Sequence, residues 1–357
     1  MEKTTASPDL LEQLICPAFL VKDGVIIHAN EAAVRRSVAL QTQVCDIIKI
    51  GSKEYEQYTH GRLGLTLRIC DTDYNAFVTV VDDAQLFCLE SDYENPELRA
   101  YALAAQQLRE PLSNAMAVTE SLLPDDAVCK NEEVRLQLCQ VNRSLHQLLR
   151  TICNMSDAAI YKNGNSDRKE TRDITAVFNE ILEKAAALAA KAGKTLEYET
   201  IYTPLLYPVD VQRLERAVLN LISNALRFSP VGSVIRANLR KSENRLVFSI
   251  ENQIDNPIKN NIFSRYLREP GIETGNTGIG LGLSIIHSVA SAHGGVVLME
   301  VPDDTLVRFT MTVALKKSKN TVVRSPILLV TDYAGGRDNT LLELSDCLPD
   351  ELYDSIC

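Results

Sequence analysis

The run Thr277-Gly278-Ile279-Gly280-Leu281-Gly282-Leu283-Ser284 leads straight into an apolar helical pattern over Leu281–Ala292. Glycines at alternate positions let backbone amides approach a polyphosphate, and the N-terminus of the following helix adds a favourable dipole. A glycine cluster also makes plain turns, so the run is weighed against what stands upstream. There, on a helical pattern over Asp210–Phe228, Asn220 and Asn224 are four apart and share one face. Arg227, Phe228, Ser229 and Pro230 follow them. Paired carboxamides beside a basic group suit a Mg²⁺-bound triphosphate, because an amide oxygen is a hard ligand. Taken alone, such a pair reads better as the polar face of a helix.

Working outward, a helix over Ile174–Ala192 is closed by Gly193 at a C-cap position. Strands are expected at Leu196–Thr200, Ser233–Leu239, Leu246–Ile250, Val296–Val301 and Leu306–Val313. The mixture predicts helices laid on one face of a largely antiparallel sheet, spanning 168–317 after the polar linker Lys162–Arg172. Upstream, 93–160 changes period. Leu98, Tyr101, Ala105, Leu108, Leu112, Ala115, Thr119 and Leu122 alternate spacings of three and four, Pro124-Asp125-Asp126 breaks the pattern, and Val134, Leu138, Val141, Leu145, Leu148, Ile152, Met155 and Ala159 resume it. Two seams of period 3.5 joined by a short loop describe an antiparallel helical hairpin. One hairpin has too little core to stand alone, so a homodimer forming a four-helix bundle is expected.

The section 8–92 is mixed. It has a turn at Lys22-Asp23-Gly24, a strand at Val25-Ile26-Ile27, and further strands at Leu63–Ile69, Ala76–Val81 and Gln85–Leu89, with Asp82-Asp83 as a turn. The last section, 318–357, is short and acidic, with a strand expected at Ile327–Val330 and a helical turn at Thr340–Leu344. The class is therefore α+β and multidomain.

The chain has 357 residues and a formal net charge of −10. That length suggests two or three domains, and that charge argues against a nucleic-acid binder, which needs a basic face. No stretch approaches 18 apolar residues and no signal pattern opens the chain, so no membrane span and a cytoplasmic location are expected. Nine cysteines at 16, 45, 70, 88, 129, 139, 153, 347 and 357 include no CxxC pair. They read as reduced thiols rather than a disulfide frame or a zinc site.

The asparagine and glycine motifs, about 50 residues apart and in this order, resemble the ATP-binding domain of sensor histidine kinases. That domain belongs to a wider ATPase group that includes gyrase and has the Bergerat-type α/β sandwich. Asn220 to Pro230 is similar to its N box, Gly278 to Ser284 to its second glycine box, and Ile262-Phe263-Ser264-Arg265-Tyr266 stands where its Phe box belongs. The resemblance implies that ATP and Mg²⁺ are the cofactors. Asn224 would ligate Mg²⁺, Asn220 would support it, and Arg227 with Phe228 would lie at the phosphates. Gly278, Gly280 and Gly282 would shape the phosphate end of a lid. Hydrolysing relatives carry a Glu where Asn220 stands, and an amide cannot act as that base. The first glycine box departs from the pattern. Glu251 falls on the position of the adenine-recognising Asp, Asn252 could serve by a one-residue shift, and both glycines of that box are replaced within Glu251–Asp255.

The hairpin departs further. Ala105-Gln106-Gln107-Leu108-Arg109-Glu110-Pro111-Leu112 matches the family's phosphoacceptor run at Leu108, Arg109, Pro111 and Leu112. Gln106 stands at the acceptor histidine and points outward, Gln107 replaces the acidic neighbour, and Glu110 displaces a Thr or Asn. A carboxamide is no usable nucleophile. Of the five histidines, His146 is placed outward on the second hairpin helix and is the one candidate substitute, while a solvated helix-face histidine is the plainer reading.

Residues 8–92 resemble a PAS sensor domain, through Cys16-Pro17-Ala18-Phe19-Leu20-Val21-Lys22-Asp23-Gly24 and the run on to Asn30 and Ala33. The resemblance implies a small ligand there, and a response regulator or phosphotransfer protein as partner. The expectation is a degenerate histidine kinase of two-component signalling that binds Mg-ATP. The alternatives are an active kinase using His146 or a partner's histidine, and a nucleotide-free scaffold.

Overall fold

The computed structural model describes residues 11–14, 16–90, 96–124, 130–160, 169–254, 281–303, 305–316 and 336–354. The Lys22-Asp23-Gly24 turn joins β1 (Ala18–Lys22) to β2 (Val25–Ala29). Asp23 at φ 50° and Gly24 at φ 79° give the paired positive dihedrals that a tight hairpin needs. Asn30 then fixes the entry to α1 (Glu31–Val34). Its side-chain oxygen accepts from the Ala33 and Ala18 amides at 2.9 and 3.0 Å, and its amide donates to the Cys16 carbonyl at 2.9 Å.

Two short helices, α2 (Val44–Ile47) and α3 (Ser52–Glu56), flank β3 (Ile48–Ile50). Long strands β4 (Arg62–Ile69), β5 (Thr72–Val81) and β6 (Ala84–Leu89) complete an antiparallel sheet in the order β2-β1-β6-β5-β4, with β3 on β4. Phe19, Val21, Leu63, Leu65, Leu67 and Val78 are among the side chains of its core.

The helical hairpin follows as α4 (Pro96–Leu122, with Pro111 inside it) and α5 (Glu132–Ile160). The second α/β unit begins with a small two-stranded sheet, β7 (Glu170–Asp173) on β9 (Leu206–Val209). Four residues per strand, all polar in β7 and mostly apolar in β9, carry no alternation, so the sequence pattern does not reveal this pair. Its helices are α6 (Ile174–Lys191), α7 (Val211–Phe228) and α8 (Leu281–Ala292). Its main strands are β8 (Thr195–Glu199), β10 (Val234–Ser242), β11 (Arg245–Gln253), β12 (Val297–Asp303) and β13 (Leu306–Ala314). Each main element lies within a few residues of its expected place. Strand order is β12-β13-β11-β10-β8, with β8 running parallel to β10 and the rest antiparallel. The three helices cover one face, where Phe178, Leu214, Ile222, Phe248, Ile250 and Ile286 meet in one core.

Two features go beyond the sequence pattern. First, β12 also pairs with β4, through Leu298↔Leu63 and Val297↔Gly64, so the two α/β units share one sheet of eleven strands. Second, the acidic C-terminal section packs inward. It forms α9 (Asn339–Glu343) and a 3₁₀ turn over Asp350–Tyr353, with Leu342, Leu344, Leu348 and Tyr353 buried against α5, α6 and α7. The strand expected at Ile327–Val330 lies outside the described residues.

Candidate functional site

The site is built on α7. Asp210 caps its N-terminus, the carboxylate accepting from the Arg213 amide at 3.1 Å, and this sets the helix phase. One long face of α7 is apolar and enters the core, yet Asn220 on that helix is only 2% exposed. A buried carboxamide must be satisfied. Its Nδ2 donates to the Arg216 carbonyl at 2.9 Å and to the Glu343 carboxylate at 3.4 Å. The Oδ1 faces α8, 3.2 Å from where a Cβ at Gly282 would stand. Glycine at 282 is therefore what lets the two helices approach here. Asn224, one turn on, is half-buried, and so is Arg227, whose guanidinium lies 5.7 Å from the centre of the exposed Phe228 ring.

The structure thus brings Asn220 close to Gly282, with Asn224 and Arg227 farther along the same helix. Gly278, Gly280, the run Ile262–Tyr266 and Asp255 lie outside the described residues. Along β11 the register separates Glu251 from Asn252. Phe248, Ile250 and Asn252 share the face that packs under the helices, and Asn252 is buried there. Glu251 lies on the opposite face, where it accepts from its cross-strand partner Arg308 at 2.6 and 2.9 Å. The expected role of Glu251 at adenine does not fit this register; on the helix-covered side the polar group is Asn252.

On the hairpin, Gln106 and Gln107 are exposed beside the buried Ala105, as expected. The outward placement of His146 is corrected. It is 4% exposed, its Nδ1 donates to the Asn142 carbonyl at 2.8 Å, and its ring meets the edge of Tyr353 at 5.0 Å. Burial pushes its pKa below the usual imidazole value. The seam pattern could not foresee this, because the cover comes from the C-terminal section.

Sequence reasoning also missed the acid at the site. Glu343 is fully buried, ion-paired with Arg216 and with Arg150, whose Nε is at 3.3 Å. Arg216 is in turn held by Asp157 at 2.7 Å and by the Asn154 side-chain oxygen at 2.8 Å. The one available signal was an acid inside the apolar run Leu341-Leu342-Glu343-Leu344. Chemically, the cluster offers two carboxamides and a cation along one helix, beside the start of another. That is a setting for an anion and a hard cation. No acid stands at 220 to serve as a base, and Glu343 is already engaged by two arginines. Among the described residues, no group of three or more His, Cys, Asp or Glu could hold a metal ion, and no helix is long and apolar enough to cross a membrane.

Residues 209–317 match the family described as "Histidine kinase-, DNA gyrase B-, and HSP90-like ATPase". The chain is 28% identical over 261 residues to hybrid signal transduction histidine kinase D of Dictyostelium discoideum, covering 66% of this chain and 17% of that protein. It is 24% identical over 320 residues to sensor histidine kinase CusS of Escherichia coli (strain K12), covering 85% of this chain and 62% of that protein. The chain therefore spans less than two thirds of the length of either relative. Among solved structures, full-length ShkA in complex with AMPPNP aligns at 18% identity with a TM-score of 0.47, over 62% of this chain and 47% of that one. The segment that matches the family holds Asn220, Asn224, Glu251, Asn252 and the glycine run.

Proposed function

We propose that the chain is a histidine kinase-like protein of two-component signalling that binds Mg-ATP through α7 and α8 but does not phosphorylate itself at the usual place on its hairpin. The observation that carries this reading is the close approach of the Asn220 carboxamide oxygen to Gly282, where an added Cβ would stand 3.2 Å from it. It joins the asparagine helix to the glycine helix while Gln106 stands exposed where an acceptor histidine would be.

The residues present fit the cofactor. Asn224 is half-buried one turn beyond Asn220 and would hold Mg²⁺, with Asn220 in support. Arg227 would face the phosphates, the amides around Gly278, Gly280 and Gly282 would cradle them, and Asn252 would meet the base. When bound, Mg²⁺ would neutralise phosphate charge. The chain's own residues bind and orient; with an amide at 220, no side chain among the described residues is placed to draw a proton from water.

Residues 8–92 act in this reading as a PAS-like sensor for a small ligand, and the hairpin pairs with a second copy. A response regulator or phosphotransfer protein is the partner, and the protein works in the cytoplasm. Signalling then depends on rearrangement of the dimer rather than on a phosphohistidine.

The test is incubation of the full chain with Mg²⁺ and γ-labelled ATP, scoring acid-labile, alkali-stable label. No label is expected on the native sequence, and label is expected once Gln106→His is combined with Gln107→Glu. Label on the native chain would overturn the degenerate reading. Nucleotide bound without label in the double variant would mean that more than the acceptor has been lost.

A further inference from the structure

The two amide protons of Asn220 are both engaged, one by the Arg216 carbonyl of its own helix and one by the Glu343 carboxylate from the far end of the chain. That leaves one orientation for the carboxamide, with Oδ1 turned toward Gly282 and the start of α8. The helix carbonyl alone does not lock a side chain about its own torsions, but a second acceptor on the same nitrogen does.

Glu343 is itself held in place. Its carboxylate is fully buried between Arg216 and Arg150, and Arg150 also donates to Ser223 on α7 at 3.0 Å. The surrounding segment is fastened along α5 by a ladder of opposite charges, Arg135 with Asp354, Arg143 with Asp350 and Arg150 with Asp346. A buried charge in such a network stays only while its partners stay. The position of Glu343 is therefore fixed by the docking of the whole segment 336–354.

We propose that Glu343 is a positioning residue of the nucleotide site, and that the C-terminal segment completes that site by setting the carboxamide of Asn220. The inference rests on the Mg-ATP reading given above. Docking of the segment and binding of Mg-nucleotide are then coupled in the same direction, because each favours the same orientation of Asn220.

The experiment measures ATP affinity of the full chain with and without Mg²⁺, in the native sequence and in variants at 343, 220 and 354, including the 220/343 double variant. Glu343→Gln removes the charge. Glu343→Asp keeps the charge for the arginines but withdraws it from Asn220 by one methylene, which guards against a variant that does not fold. Either change is expected to weaken Mg-ATP binding roughly tenfold and to shrink the advantage that Mg²⁺ confers. In the Asn220→Ala background the same change at 343 should have no further effect, since two residues acting through one contact are not additive. Asp354→Asn, which loosens the segment far from Asn220, should lower the melting temperature and, through the same coupling, reduce the Mg²⁺ advantage by less than either change at Glu343. Unchanged affinity in both Glu343 variants, additive effects with Asn220→Ala, or an equal loss from Asp354→Asn would overturn the proposal while leaving Mg-ATP binding in place. A native chain that binds no ATP in either condition would overturn the nucleotide reading itself, and the proposal with it.

Discussion

His293 is the residue whose chemistry links the two ends of the nucleotide unit. Its Nδ1 donates to the Val289 carbonyl at 2.8 Å and its Nε2 accepts from the Asp210 amide at 3.1 Å, so the neutral tautomer is the one that fits. Protonation would set a second donor against the Asp210 amide. Burial, with Lys169 and Arg213 nearby and Asp210 opposing them, pushes the pKa from 6.5 down to about 4. A histidine depressed on folding contributes stability that is complete above its unfolded pKa. That contribution is lost as pH falls from about 6.5 to about 4, by roughly 3 kcal/mol in all. Melting temperatures of the native chain should fall across that window. In His293→Gln, which starts lower at pH 7, they should fall less steeply, and equal slopes would refute the assignment. Residues of this kind divide by how local their signal is. Asn220, Asn224 and Gly282 were legible because a spacing of four and an alternation of glycines are written within a dozen positions. Glu343 meets Asn220 across 123 residues of chain, and nothing near it in sequence points to an amide. The placement of Asn252 rather than Glu251 under the helices required the register of β11, which parity supplies only once one core position is known.

At the scale of elements, the hairpin separates what periodicity can tell from what it cannot. The seam of period 3.5 is real, but within one chain only part of it is buried. Ala105, Leu112 and Thr119 on α4 and Ile152 on α5 turn inward. Leu108, Ala115 and Leu122, seven apart, face out, as do Val134, Val141 and Leu148 on α5. Leu108 and Leu148 are 52% and 54% exposed. The face that α5 would otherwise leave to solvent, through Asn142, His146 and Arg150, is covered by the C-terminal segment, with Asn142 donating to the Tyr353 carbonyl at 2.8 Å. Helix period identifies a stripe but not its occupant. The outward stripes of both helices are apolar over several turns, which is what a second copy would bury in a four-helix bundle. Leu108→Glu combined with Leu148→Glu places four like charges per dimer on that surface. Light scattering should give twice the chain mass for the native sequence and the single mass for the double variant. Because both positions are exposed in the single chain, its melting temperature at high dilution should change little. A monomeric native chain, or a variant that still dimerises, would remove the hairpin as the site of association.

At the scale of the whole molecule, α8 is the element on which the other parts converge. One side packs on the sheet beneath it and its N-terminal end meets Asn220. Its outer side meets the amino-terminal unit. There His287 lies 4.8 Å from Phe77, Ser288 accepts from Asn75 at 3.3 Å, and Ser291 shares a hydrogen bond with Thr66 at 2.7 Å. The short ladder between β4 and β12 closes the same interface, and Glu54 with Arg245 at 2.9 Å adds an ion pair beside it. Gly64 is the point of this seam at which a side chain would meet α8. A Cβ there would stand 3.1 Å from the Phe77 ring and 3.2 Å from the His287 ring, both fully packed. A bulkier residue must push α8 away from the amino-terminal unit, since interiors this dense have no room to absorb a side chain, and overpacking of this kind costs about 1–3 kcal/mol. Gly64→Leu should therefore raise hydrogen exchange at the amides of 62–64 and 297–299 while β10 and β11, paired elsewhere, keep their protection. If α8 carries the influence of one unit to the other, the same variant should also change ATP affinity although residue 64 is on the far side of α8 from Asn220. Unaltered exchange along β4 and β12 would mean that the shared sheet is held by other contacts. Altered exchange with unaltered affinity would mean that the seam joins the two units without coupling them.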